Sequence, residues 1–154
     1  MGATERLAEL GLSLPDPPAP VAAFQPFVRH GDVVYTSGQI ATREGELVSR
    51  GRIDNESDIE RGREAARACA LNILAQLKAA AGDLDDIERV LKLTVFVASG
   101  PEFTQQPQVA DAASRLVIDV LGEAGAHARS AIGVAALPLD TPVEIEAIAV
   151  VRTR

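Results

Sequence analysis

Tryptophan is absent from this 154-residue chain, aromatic residues make up only 3% of it, and there is one cysteine, Cys69. A single cysteine excludes an intramolecular disulfide and every multi-cysteine metal site. The two histidines, His30 and His127, stand far apart in sequence and leave little material for zinc. Positive charge is short as well: 15 Lys and Arg face 22 Asp and Glu, a formal charge of −7, and no Lys/Arg run occurs. A phosphate backbone needs a clustered basic face, so nucleic acid is not an expected partner. No stretch approaches the roughly 18 consecutive apolar residues of a membrane span. The start, Met1 to Arg6, lacks the basic-then-apolar run of a signal peptide, and Arg6 stands where a myristoylation signal has Ser or Thr. The expected location is the cytoplasm, with no membrane partner.

What is present is a globular composition, 47% hydrophobic and 24% charged, with a core of Ala, Val, Leu and Ile. The length suits one domain spanning 1–154, whose residues 1–22 form a lead-in: a helix over Met1 to Leu12, then the run Pro15-Asp16-Pro17-Pro18-Ala19-Pro20. Strands are expected at Phe24 to Val28 and Val33 to Ile40, either side of the turn at Gly31, with a further turn at Gly45. The period then changes. Ser57-Asp58-Ile59-Glu60 matches a capping box, and Ala66, Ala70, Ile73, Leu74, Leu77 and Ala81 fall at helical spacing until Gly82. Val90 to Ala98 alternates as a strand, with Leu91, Leu93, Val95 and Val97 on one face. A helix follows from about Pro107 to Leu121, ended by Gly122 and Gly125. Ser130 to Ala136 and Val143 to Arg152 read as strands, the latter with Glu144 and Glu146 together on the face opposite Ile145 and Ala147. The order of elements predicts an α+β domain with two helices on one face of a mixed sheet. The other sheet face, with Ile148 and Val150 beside charges, calls for a partner chain to cover it.

Three segments could carry chemistry, each with a plainer reading. Tyr35-Thr36-Ser37-Gly38-Gln39 either lets a ligand approach at Gly38 or is a strand ending in a turn. Gly125-Ala126-His127-Ala128-Arg129-Ser130 offers one arginine, which in a loop is commonly a solvated charge. Glu144 and Glu146 alternate on a strand, as solvent-facing acids do.

Taken in order, Ser37-Gly38-Gln39, Val95-Phe96-Val97, Ala128-Arg129-Ser130, Leu137-Pro138 and Val143 to Ala149 resemble the Rid family of reactive-intermediate deaminases, also called YjgF-like and formerly labelled endoribonucleases. The resemblance runs from about Phe24 to Arg152, and the Pro-rich lead-in with His127 to Val134 marks a distinct branch. It implies a chorismate-mutase-like fold, a homotrimer with sites between subunits, and cofactor-free hydrolysis of 2-enamine and 2-imine acids to 2-keto acids and ammonia. It also implies that Arg129 holds the substrate carboxylate, Glu144 activates water, and Ser37, Phe27 and the main chain at Ser130 and Ala131 line the pocket.

Those roles make physical sense for these side chains. A guanidinium binds a planar carboxylate through a fork of charge-assisted hydrogen bonds, each worth about 1.5–3 kcal/mol. A carboxylate beside an ordered water accelerates proton movement by roughly 10²–10⁴-fold. Free imines already hydrolyse, so no metal or nucleophile is required.

The chain departs from the family at several places. Phe27 stands where a pocket tyrosine is usual, Ala131 replaces a cysteine, and a family asparagine falls near Ala110 or Asp111. An Asp111 facing the cleft would oppose anion binding. His127 is taken as a bystander at the cleft mouth, and Cys69 as a small core residue. Two other functions compete with the deaminase: a non-catalytic trimer binding a 2-keto acid or related carboxylate through Arg129, and, ranked last, an endoribonuclease.

Overall fold

A computed structural model describes residues 1–20 and 22–152. The described residues form three α-helices, α1 (Ala3–Glu9), α2 (Ile59–Ala81) and α3 (Gln106–Leu121), and eight strands. The strands are β1 (Phe27–His30), β2 (Val33–Thr36), β3 (Gln39–Ile40), β4 (Thr42–Arg43), β5 (Glu46–Leu47), β6 (Ile87–Ala98), β7 (Ala128–Val134) and β8 (Val143–Val151). The main sheet runs β1-β2-β8-β6-β7, with β3 also on β8; β6 and β7 are parallel and the other pairs antiparallel. β4 and β5 form a separate hairpin. This is the expected α+β layer arrangement, with α2 and α3 on one face of a mixed sheet.

Alternation along β8 builds the core. Val143, Ile145, Ala147, Ala149 and Val151 are all buried and meet Ala66, Cys69, Ile73, Leu74 and Leu77 from α2. Alanine-rich helix faces let α2 lie close to the sheet and to α3, at about 25 cal/mol for each Å² of apolar surface removed from water. Gly82 ends α2 at φ 97°, a conformation an L side chain rarely adopts. Among the described residues, no helix is long and apolar enough to cross a membrane.

Several boundaries differ from the sequence reading. Helix α1 is shorter than Met1 to Leu12; Leu7 is buried on α3 but Leu10 is outside the helix and exposed. Phe24 lies before the first strand, which continues to His30. The segment from Val33 to Ile40 is broken at Ser37-Gly38 because the Thr36 hydroxyl accepts the Ala147 N–H at 3.0 Å, a side chain taking over where the backbone ladder with β8 parts. Ser57 does not cap α2. A 3-10 turn over Glu56–Asp58 precedes the helix, and Asn55 takes the cap, its side chain accepting the Ser57 N–H at 3.1 Å. Leu91 points outward, 42% exposed, because a bulge between Val90 and Lys92 shifts the register of β6 on β8 and puts Val90 in the core instead. Strand β7 covers Ala128–Val134, two residues earlier than expected.

The lead-in is fastened to the domain. Gln76, buried in α2, donates to the Pro18 carbonyl at 2.9 Å and to Gln39 Oε1 at 3.3 Å. Further on, the Ser37 hydroxyl donates to the Gln25 carbonyl at 2.6 Å and the Ser37 N–H to Pro26 at 2.9 Å. The sheet face away from the helices holds Val28 and Tyr35, exposed by 58% and 55%, with Ile132 at 44% and the half-buried Phe96, Ile148 and Val150. That is a broad apolar surface without a covering layer in one chain.

Candidate functional site

Strand register decides where each candidate side chain goes, since paired residues on neighbouring strands point to the same face. Arg129 pairs with Leu93, which is buried beneath the helices, so Arg129 rises on the helix side at the outer edge of the sheet. Glu144 pairs with Phe96 and Ile40 and lies on the opposite, uncovered face. The two proposed catalytic side chains are therefore on opposite faces of the sheet within one chain. Ser130, opposite Thr94, shares the Glu144 face, whereas Ala131, opposite Val95, turns to the core side. Phe27 pairs with the buried Thr36 and packs against the core, also on the helix side. Ser37 sits at the strand break, its hydroxyl bound to Gln25.

Arg129 is not a solvated loop charge. Its Nη1 donates to Asp111 Oδ1 at 2.7 Å and to Ser114 Oγ at 3.1 Å, both on α3, and its side chain is 22% exposed. Among the described residues nothing hydrogen-bonds its Nε or Nη2, so one edge of the guanidinium keeps two parallel donors. Asp111 does face this site, and its charge is engaged by the arginine. His127 is more than a bystander: its Nε2 lies 2.9 Å from Ser114 Oγ and its Nδ1 2.6 Å from the Gly125 carbonyl. Burial holds its imidazole below the ordinary value, the Gly125 bond opposes that shift, and the nearby Arg129 charge reinforces it.

Glu144 is in the opposite condition. No hydrogen bond reaches its carboxylate among the described residues, and burial lifts its carboxyl above the ordinary value, with Glu146 on the same face adding to the rise. Its carboxylate lies against Gly38. A Cβ there would stand 2.0 Å from Glu144 Oε2, so only glycine admits the acid at this place. Cys69 is fully buried, its thiol raised by burial, as befits a core residue. Among the described residues no group of three or more His, Cys, Asp and Glu is placed to hold a metal ion.

Ser114 escaped the sequence reading. The only signal available was its spacing of three from Asp111, which puts both on one face of a helix, and the hydroxyl itself in a run of Ala, Leu and Val.

The described residues thus form a layered α+β fold with an arginine at the sheet edge and an acid against a strand-break glycine. A family model described as Endoribonuclease L-PSP matches residues 15–151, and the chain belongs to this family, the YjgF-like or Rid proteins. It is similar to Protein TCP17 of Trypanosoma cruzi, 43% identical over 92% of this chain and 89% of that protein. A 2-iminobutanoate/2-iminopropanoate deaminase of Dermatophagoides farinae is 31% identical over 91% of this chain and 94% of its own length. The solved structure of the protein Atu1372 from Agrobacterium tumefaciens superposes with a TM-score of 0.89 at 45% identity, over 97% of this chain and 93% of that one.

Proposed function

We propose that the protein is a cofactor-free hydrolase of 2-enamine and 2-imine acids, releasing 2-keto acids and ammonia, and that it works as a homotrimer with sites shared between neighbouring subunits. The observation that carries this reading is the open Nε–Nη2 edge of Arg129, held by its other end, which matches the two oxygens of a 2-imino acid carboxylate. The 31% identity to an iminobutanoate/iminopropanoate deaminase supports the same chemistry.

In this reading Arg129 grips the carboxylate and fixes the imine carbon in place. An enamine substrate reaches the same species by tautomerising to the imine. Glu144 of a neighbouring subunit takes a proton from water as its oxygen bonds to that carbon. The carboxyl gives this proton to the imine nitrogen, leaving a carbinolamine; the hydroxyl proton then passes by the same carboxylate to the amino nitrogen, the C–N bond breaks, and ammonia leaves as the carbonyl forms. A carboxyl raised above its ordinary value is suited to both transfers. The uncovered apolar sheet face, beside which Glu144 stands, supplies the surface on which the next subunit's Arg129 edge would pack.

The test is keto-acid formation from 2-aminoacrylate generated in the cuvette by a dehydratase, against the spontaneous rate. Wild type is expected to exceed that rate, and Arg129→Ala to lower kcat/KM by roughly 10²–10⁴-fold through loss of the two-pronged contact. A wild-type rate equal to the spontaneous one for this and oxidase-generated imines would overturn the catalytic reading and favour carboxylate binding without turnover.

A further inference from the structure

Arg129, Ser114, His127 and Gly125 form a chain of hydrogen bonds that starts on β7, crosses to α3 and returns to the turn after it. Both ends of this chain are chemically fixed. A guanidinium only donates and a carbonyl only accepts, so for a neutral imidazole, the form that burial of His127 favours, the direction between them has one solution. Arg129 Nη1 donates to Ser114 Oγ at 3.1 Å, the Ser114 hydroxyl donates to His127 Nε2 at 2.9 Å, and His127 Nδ1–H donates to the Gly125 carbonyl at 2.6 Å. That assignment requires a neutral imidazole with its proton on Nδ1.

The backbone is shaped to support the far end. A Cβ on Gly125 would lie 2.5 Å from the Val117 carbonyl oxygen, so the turn rests directly on α3 only because this residue is glycine. The close approach aims the Gly125 carbonyl at the imidazole and the imidazole at Ser114. From the other side Asp111 takes the same Nη1 at 2.7 Å. Nη1 is thus held between two acceptors on one helix, three residues apart, and the remaining edge is left with a defined direction.

We infer that Ser114 and His127 are positioning residues: His127 fixes the Ser114 hydroxyl as an acceptor for Arg129, and the pair aims the free edge of the guanidinium at the substrate carboxylate. This rests on the function proposed above. Neither residue touches the substrate; both act through Arg129. Carboxylate binding is made in ground state and transition state alike, so their loss falls on KM and leaves kcat nearly unchanged.

The experiment compares Ser114→Ala, His127→Ala, His127→Asn and His127→Gln for KM and kcat with a generated 2-imino acid, and for the affinity of 2-oxobutanoate by calorimetry. Asn can reproduce the bond from Nδ1 to Gly125 but not the reach to Ser114; Gln can place an oxygen where Nε2 was. Ser114→Ala and His127→Ala are expected to raise KM and weaken 2-oxobutanoate about tenfold, the scale of one hydrogen bond to a charged group. His127→Gln should stay near wild type, and His127→Asn should behave like His127→Ala. A KM within twofold of wild type in both alanine variants would overturn the inference. So would equal rescue by Asn and Gln, which would reduce His127 to a support for the turn at Gly125. If instead wild type shows no turnover, the proposed activity fails while the calorimetric comparison still judges the brace.

Discussion

Arg129 and Glu144 are set under opposite conditions. The arginine has three strands of support: Asp111, Ser114 and, behind the latter, His127. The acid has a glycine to lie against, a second acid on its own face, and no hydrogen bond among the described residues. One charge is stabilised where it stands and the other is disfavoured. The contrast fits a division of labour in which the cation must keep one orientation and the acid must change protonation state easily. It also explains why the two need not share a face of one chain: a braced arginine on an outer strand can be presented to a neighbour as a finished unit.

Mixing two dead variants tests that division most sharply. Arg129→Ala and Glu144→Ala should each fall near the spontaneous rate. In a cyclic trimer with each site built from two subunits, every mixed trimer regains one intact site of three. Random reassembly of equal amounts therefore restores about a quarter of wild-type activity. No recovery in mixed trimers, verified by light scattering, would mean that the two residues serve one chain's site or none.

Gly38→Ala is the next largest. The added methyl group would displace the Glu144 carboxylate, and we expect kcat to drop about 10–100-fold with KM little changed. Unchanged kcat would separate Glu144 from the chemistry.

The smallest effect concerns stability against pH. Because burial and Glu146 raise the Glu144 carboxyl in the folded protein, the native state holds this proton more tightly than the unfolded chain does. Its contribution is therefore most favourable below the ordinary value of 4.5, declines as pH rises from there through the folded-state value, and is constant beyond. Glu144→Gln removes that decline. Denaturant titrations at pH 4 and pH 8 should show the variant gaining slightly on wild type at pH 8, even as kcat collapses. A variant less stable than wild type at pH 8 would show that the ionised carboxylate is stabilised by its surroundings.

The same contrast marks what could be read from the residues alone. Helix α2 and strand β8 were legible because each carries its whole period within one segment, Ala66 to Ala81 at helical spacing and Val143 to Val151 by twos. The outward turn of Leu91 was not, since a bulge belongs to the pairing of β6 with β8 and a period of two runs straight through it. Asn55 and Ser57 are both good caps two residues apart, and only the intervening 3-10 turn selects between them. In the candidate site, Arg129 and Glu144 stood out as residue types, but their faces depend on register across β7, β6 and β8 together. Asp111 and His127 were visible as polar groups without a place, and Ser114 was silent until the turn at Gly125 brought the imidazole to it.

The lead-in bears on the same site through entropy. Four prolines, at positions 15, 17, 18 and 20, lock φ before the chain folds. A segment with fewer unfolded conformations loses less freedom on being fixed. Gln76 then pins Pro18 and, through the same amide, Gln39; Gln25 and Pro26 pin Ser37. Hydrogen bonds from the lead-in side thus flank the broken strand at Ser37-Gly38, against whose glycine the Glu144 carboxylate lies.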